Sequence, residues 1–434
     1  MAKQMNSRIW INTLFISVLA AVTLIIFYQI IGHAFLYRVD DSWMVINKMT
    51  ESGFTRPNIQ HIFTTVYYGQ YSPINQLYYV LLFQIGRYDA SWFHGGSLLF
   101  HVLNVIIVYR LIFLLLARST DSHKAAFIAF FTALIFAVHP AQVESVAWIS
   151  ASKIVLGGFF YLTALLLYVQ YTNPETKGHI TYLIISCLCT ILAMGCKEQF
   201  VTLPGVLLLI DWLVLKRKMT NWKIYIDKIP YVVIALGITW ITLQINNRSL
   251  SDTVNYSWVN RLVLGCYSLV YYIRTSILPW DLTYFHGQLF KSEESPSIWL
   301  WLYVLVIPIL AGIIYKLRKK PIALFCIFFF VYHLLLVLHI IPLPRMITIA
   351  DRYIYLSLIG SGILISLGGV KLYEHIKANW KKALLFFILF IYLSGLSFCT
   401  YRYTQTWRNT EAFKQNRLNF DLLLQHKSEQ GKPE

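Results

Sequence analysis

The sequence predicts an all-α polytopic membrane protein: a bundle of about eleven transmembrane helices with shorter juxtamembrane helices at its outer face. Three observations carry that prediction. Hydrophobic residues make up 57% of the 434 and charged residues 13%, with a mean hydropathy of +0.57, a balance foreign to ordinary soluble globules. The apolar residues are gathered into blocks, several of which approach the roughly 20 residues a helix needs to cross a bilayer. The basic residues fall in short clusters between blocks, as topology signals do.

The first block, Ile11 to Leu36, is too long and too apolar for a removable signal peptide and is expected to stay as an anchor. Phe93 to Leu116, Ala125 to Val138, Ile154 to Tyr171, Ile180 to Met194, Phe200 to Leu215 and Ile229 to Ile245 come next. Ile298 to Tyr315, Ile322 to Ile341, Ile354 to Val370 and Ala383 to Cys399 complete the set. An odd number of crossings puts the chain's ends on opposite sides. Lys216, Arg217, Lys218, Lys223 and Lys228 crowd one loop, Lys316, Arg318, Lys319 and Lys320 another, and Lys371, Lys377, Lys381 and Lys382 a third. All three are assigned to the inside, with the N-terminus. The C-terminus and the loops around Asp40, His139, Lys197 and Asp351 are then expected outside, facing the periplasm of a bacterial inner membrane.

Two apolar runs are read as non-spanning. Ile74 to Ile85 is broken by Asn75, Gln76 and Gln84 and suits an interfacial helix. Trp258 to Trp280 carries Arg261 and Arg274 among tyrosines; as a crossing it would move the Lys316 cluster outside, so an interfacial or re-entrant helix is preferred. The six cysteines lie in or beside apolar runs without metal-ligand spacing and are read as packing. The net charge of +17, spent on these loops, does not imply nucleic acid.

Chemistry is expected at the outer face. Arg38-Val39-Asp40-Asp41-Ser42-Trp43 follows the first block at once and sets two carboxylates where a span meets water, a costly placement that marks a candidate site. A solvated loop that merely ends a helix is the plainer reading. His94, His101 and Asn104 lie in the outer half of the second span, followed by His139-Pro140 with Glu144 and Lys153, Lys197-Glu198, and Arg345 with Asp351-Arg352. His101 and Asn104, three apart on one helix face, equally suit hydrogen bonds to a neighbouring helix. Lys197-Glu198 and Asp351-Arg352 equally suit interfacial ion pairs. Convergence favours function: four separate loops put charge on one side, beside spans nearly free of it.

These residues carry a resemblance. His139-Pro140-Ala141-Gln142-Val143-Glu144-Ser145-Val146-Ala147-Trp148-Ile149-Ser150, followed by Lys153, resembles the signature of the transmembrane and tetratricopeptide-repeat protein O-mannosyltransferases and their bacterial relatives, within the GT-C superfamily. Asp40-Asp41 with Trp43 and Asn47 is similar to that family's first outer loop, and Tyr71-Ser72-Pro73, His94, His101 and Asn104 follow its pattern. So do Cys196-Lys197-Glu198-Gln199 with Leu203-Pro204 and Asp211, Ile341-Pro342, Ala350-Asp351-Arg352-Tyr353-Ile354-Tyr355-Leu356, and Trp407 with Arg402 and Arg408. Residues 1–400 are therefore expected to form a GT-C-like transmembrane glycosyltransferase domain with an outer catalytic loop at 37–92. Residues 401–434 are expected as a short outer tail, because no 34-residue repeat period is present.

The resemblance implies transfer of mannose or another hexose from a polyprenyl-phosphate carrier to a hydroxyl of a protein or an envelope glycan or lipid. Asp40 is the first choice for the base and Asp41 the second. Lys197 and Arg352, with Arg274, Arg345 and Lys153 behind them, are the candidates for the donor phosphate. Glu198, Asp351, His139, Glu144, His94, His101, Asn104 and Tyr71 are expected to support the site. No cofactor or metal is expected, since hard cations want more oxygen ligands than the Asp40 loop offers. A flippase or transporter of lipid-linked glycans is the rival class, but its paired halves with matching broken helices are not visible. An O-antigen-ligase-like transferase shares the chemistry without the motifs.

Overall fold

The computed structural model describes residues 2–37, 39–67, 69–173, 176–246, 256–280, 282–284, 286, 289–290, 294–340 and 348–416. Arg38, Arg345 and the tail from 417 onward lie outside these residues. Apart from one isolated bridge, Tyr67 with Gln70, the described secondary structure is helical. Helix α1 (Ala2–Phe27) leads through the Asp40 loop to the short α2 (Lys48–Glu51) and α3 (Arg56–Thr64), then α4 (Pro73–Gly86). Helices α5 (Ala90–Ala117), α6 (Ser122–Val138), α7 (Val143–Ala147), α8 (Ser152–Tyr171), α9 (His179–Cys196) and α10 (Leu203–Leu209) follow. The rest are α11 (Lys223–Ile226), α12 (Ile229–Asn246), α13 (Trp258–Thr275), α14 (Ile298–Trp301), α15 (Val306–Leu317), α16 (Pro321–Leu334), α17 (Ser357–His375) and α18 (Asn379–Thr404).

Each of the eleven apolar blocks forms helix. Among the described residues, six segments are long and apolar enough to cross a membrane: Trp10–Gly32, Ala90–Ala117, Ile149–Tyr171, His179–Cys196, Ile298–Leu317 and Asn379–Trp407. A seventh is the bent pair Ser122–Val138 with Pro140–Ala147. The protein is an integral, multi-pass membrane protein. Length and apolarity alone certify those six or seven of the eleven; α12 and α16 are apolar but shorter, and α17 is diluted by Ser and Gly. The two runs read as non-spanning are both helical. Helix α4 buries Asn75 and Gln76, and α13 packs beside α14 and α15.

Helix α8 is the centre of the bundle. It packs along α5 and α9, α6 lies between α5 and α17, and α16 lies along α17. In the most apolar window of its span 72% of residues are buried, against 6% for Ile298–Leu317 and 11% for Asn379–Trp407, whose exposed leucines and phenylalanines suit contact with lipid. Two glycines permit the closest approaches. A Cβ on Gly157 would lie 2.2 Å from the Phe200 ring, and one on Gly360 would lie 2.6 Å from the Cys326 carbonyl where α17 crosses α16.

The bend that shapes one end of the bundle starts at Pro140. Proline has no N–H to donate, and it pushes the residue before it out of the helical region; His139 is accordingly extended (φ −74°, ψ 129°) and its Nδ1 accepts from the Ala141 N–H at 3.2 Å. The chain turns by 58° and residues 139–152 run, buried throughout, across the end of the bundle before α8 begins. From Lys153 to Tyr168, α8 then spans about 22 Å at 1.5 Å per residue. At its far end Asp211 Oδ2 accepts from the Tyr168 hydroxyl (2.8 Å), from Arg217 Nη1 (3.0 Å) and from Lys228 Nζ. Arg217 Nη2 also pairs with Asp227 (2.9 Å), which accepts from Tyr171 (2.9 Å).

Candidate active site

The Asp40 loop is clamped by the end of α18. The Ala34 N–H donates to the Arg408 carbonyl (2.9 Å) and the Tyr37 N–H to Thr410 Oγ1 (2.9 Å), while buried Trp407 stacks on Trp148 at 5.5 Å. Residues 401–416 thus belong to this end of the bundle. Past the clamp, the Ile46 N–H reaches back to the Asp41 carbonyl (3.1 Å), opening a wide turn over Asp41–Val45. Asn47 closes it, taking the Thr50 N–H (2.9 Å) on its Oδ1 and donating to the Trp43 and Met44 carbonyls.

The two acids of this turn have different surroundings. Asp41 is buried: its Oδ2 accepts from the Leu36 N–H (2.9 Å), and its Oδ1 accepts from the Ser150 N–H (3.0 Å) and hydroxyl. Burial pushes its carboxyl up to about 6, although the bonds from Ser150 and Leu36 pull the other way. Asp40 is half-buried, and among the described residues no hydrogen bond or ion pair engages its carboxylate.

The cations come from three other segments. Lys153 Nζ, at the start of α8, donates to Gln70 Oε1 and lies 3.8 Å from Met44 Sδ. The charges acting on it are those of Lys197, Glu198, Asp40 and Arg352, so five charged groups from four segments share one cluster. The Arg352 N–H donates to Glu144 Oε2 (2.7 Å) and its Nη1 to Oε1. Burial is the largest influence and opposes the Arg352 charge, but Glu144, Tyr353 and Tyr284 together hold the guanidinium above its ordinary range. Its guanidinium lies over Tyr353 (5.0 Å), Trp148 (5.4 Å) and Tyr284 (5.9 Å). Lys197, only 7% exposed, has its ammonium 5.2 Å from the same Tyr353 ring, which therefore touches two cations.

The remaining expected residues surround this cluster without joining it. Asp351 is fully buried, accepting from Tyr271 (2.9 Å) and Tyr403 (3.3 Å) with His286 Nε2 at 4.0 Å; burial, then Glu144, raises its carboxyl well above the usual range. Arg274 lies over Tyr271 at 5.1 Å and donates to the Trp280 carbonyl, so a tyrosine separates it from Asp351. His101 and Asn104 take the interhelical role: His101 meets the Tyr355 hydroxyl (3.0 Å) and the Ala137 carbonyl (3.4 Å), and Asn104 donates to Val155 (2.8 Å) and Tyr355 (2.9 Å). Their pairing on one helix face serves packing because two neighbouring helices present backbone acceptors there. His94 is buried beside His33, their rings 5.8 Å apart, and Tyr71 donates to the Phe63 carbonyl (3.0 Å). His139 serves the bend. Ser150, Gln70, Tyr353 and Tyr284 join the cluster unexpectedly; as neutral side chains they carry no cost signal in a sequence, although Ser150 and Tyr353 sit inside runs that do. Among the described residues no three His, Cys, Asp or Glu side chains gather as a metal site.

No established family profile matches the chain. Protein O-mannosyl-transferase TMTC4 of Homo sapiens is 30% identical over 153 residues, 31% of this chain and 20% of that protein. Protein O-mannosyl-transferase TMTC1 of Homo sapiens is 28% identical over 200 residues, 41% of this chain and 21% of that protein. The matches thus span about a fifth of the length of these curated relatives. The crystal structure of the Archaeoglobus fulgidus oligosaccharyltransferase shares the fold over 91% of this chain and 56% of its own, at 11% identity and a TM-score of 0.51. The chain shares the fold of that oligosaccharyltransferase. The likeness in fold extends over nearly the whole chain, while the likeness in sequence to the O-mannosyl-transferases covers less than half.

Proposed function

We propose that this chain is a glycosyltransferase that moves a hexose, such as mannose, from a polyprenyl-phosphate carrier to a hydroxyl of a protein or an envelope glycan or lipid at the outer membrane face. The observation that carries this reading is Asp40, whose carboxylate has no hydrogen-bond or ion-pair partner among the described residues and, like Lys197 and Arg352, lies within electrostatic reach of Lys153. The resemblance to O-mannosyl-transferases supports the substrate class. Asp40 is assigned as base and Asp41 as the group that positions it, because Asp41's oxygens are committed to Ser150 and Leu36.

In the transfer, the acceptor hydroxyl gives its proton to Asp40 as its oxygen bonds to the sugar's anomeric carbon. The bond from that carbon to the phosphate oxygen breaks, and its electron pair leaves with the polyprenyl phosphate. Lys153, Lys197 and the guanidinium edge of Arg352 not used by Glu144 meet the added negative charge, so no general acid is required. A carboxylate base in hydrogen-bond reach is worth about 10²–10⁴-fold.

The test is mass spectrometry of surface-side proteins and envelope glycolipids from cells with and without the gene. Loss of one glycoform, with its lipid-linked sugar accumulating, is the expected result. An intact set of glycoforms together with a lipid-linked glycan trapped on one leaflet would contradict transfer and support carrier movement.

A further inference from the structure

A second feature lies at the other end of α6, remote from the Asp40 cluster. A groove of about 500 Å³ runs between α6, α17 and α18, lined by Phe127, Phe131, Ile365, Phe386, Leu389 and Tyr392 among others. Its wall is almost wholly apolar, and its mouth carries Lys124, Tyr373 and Glu374. Lys124 Nζ donates to both Glu374 oxygens (2.6 and 2.9 Å), in a pair half-open to solvent. Lys382 Nζ lies 4.7 Å from the centre of the Tyr373 ring, and that ring packs on Phe386 at 5.6 Å.

Two properties of the mouth say what fits. Tyr373 at the mouth is exposed, as is Trp380 at the start of α18, and such aromatics in a membrane protein mark the depth of the lipid headgroups. The segment is strongly positive: Lys371, Lys377, Lys381 and Lys382 outnumber the single acid Glu374 between residues 371 and 382. An apolar trough that opens at headgroup depth under a basic rim matches a molecule with a hydrocarbon chain and an anionic head.

We propose that this groove binds an anionic phospholipid, with an acyl chain along Phe131 and Leu389 and the phosphate between Lys124 and Lys382. This lipid is distinct from the sugar donor, because the groove's mouth lies at the opposite end of α6 from His139. Glu374 competes with the phosphate for Lys124 and weakens the site. A zwitterionic lipid fills the trough equally well but gains little at the rim, so selectivity resides in the lysines, at roughly fivefold per basic residue.

The experiment is native mass spectrometry of the full-length chain in detergent, titrated separately with phosphatidylglycerol and phosphatidylcholine. The wild type is expected to retain one phosphatidylglycerol at roughly a tenth or less of the concentration needed for phosphatidylcholine. Glu374→Gln should strengthen that retention severalfold, and Lys124→Gln with Lys382→Gln should abolish the preference. Raised ionic strength should erase it in the wild type, a readout that does not depend on any variant folding. Equal retention of both lipids by the wild type, or a preference unmoved by salt or by Glu374→Gln, would overturn the proposal.

Discussion

The two ends of α8 hold two charged clusters of opposite character. At the Tyr168 end Asp211 is met by Arg217, Lys228 and Tyr168, and Asp227 by Arg217 and Tyr171. At the Lys153 end Asp40 has no side-chain partner among the described residues, and Lys153 is held by a neutral amide and a thioether. Buried charge is costly unless it is paired, so a matched cluster fixes structure. Asp40, without such a partner among the described residues, is open to completion by a substrate's hydroxyl. The same residue types, about 22 Å apart on one helix, are therefore assigned different work on the strength of their partners.

That contrast breaks if the Asp211 end proves catalytic or the Asp40 end merely structural. Asp211→Asn strands Lys228, which is 3% exposed, and should cost about 3–5 kcal/mol of stability in a denaturation experiment, while sugar transfer per folded molecule stays near normal. Asp41→Ala removes three hydrogen bonds to a charged acceptor and should cost about 3 kcal/mol, lowering transfer only through disorder of the turn.

The pH dependence of Asp41 sharpens the comparison. Its carboxyl is raised from 3.8 to about 6, so the folded state favours the protonated acid; that stabilisation is full below the ordinary value and is lost as pH rises through about 6. Wild-type thermal stability relative to Asp41→Asn should therefore decline across that window. Lys197→Ala should raise the KM for the lipid-linked sugar about tenfold or more with a smaller change in kcat, as expected for a phosphate contact already made in the bound state. The smallest readout is positional. A cysteine at Ser42 should label in intact cells and one at Lys218 should not; the reverse pattern would put the Asp40 cluster on the inner side.

Most of the helices were legible because apolar blocks of span length admit few alternatives. The charged members of the candidate site could be singled out too, because Asp40, Lys153, Lys197 and Arg352 are costly where they stand. What the order of residues hid was partnership. Asp40 and Asp41 are adjacent and chemically equal, and the difference between them is made by Ser150, 109 residues further on. His101 and Asn104 suited either a site or hydrogen bonds to a neighbouring helix, and both meet Tyr355, two residues before α17. Arg217 and Lys228 read as topology signals, and the fold uses them as the partners of Asp211. In each case the deciding contact is distant in sequence or comes from a neutral group with no signal of its own.

The central claim is that Asp40 is the base and Asp41 its support. Sugar transfer measured with Asp40→Asn and Asp41→Asn, purified at equal folded concentration and given the same lipid-linked donor, tests it directly. Asp40→Asn should lose about two to four powers of ten in kcat with donor binding kept, and Asp41→Asn should lose less. Near-normal turnover by Asp40→Asn beside an inactive Asp41→Asn would contradict the assignment, and activity in both would remove the turn from the chemistry.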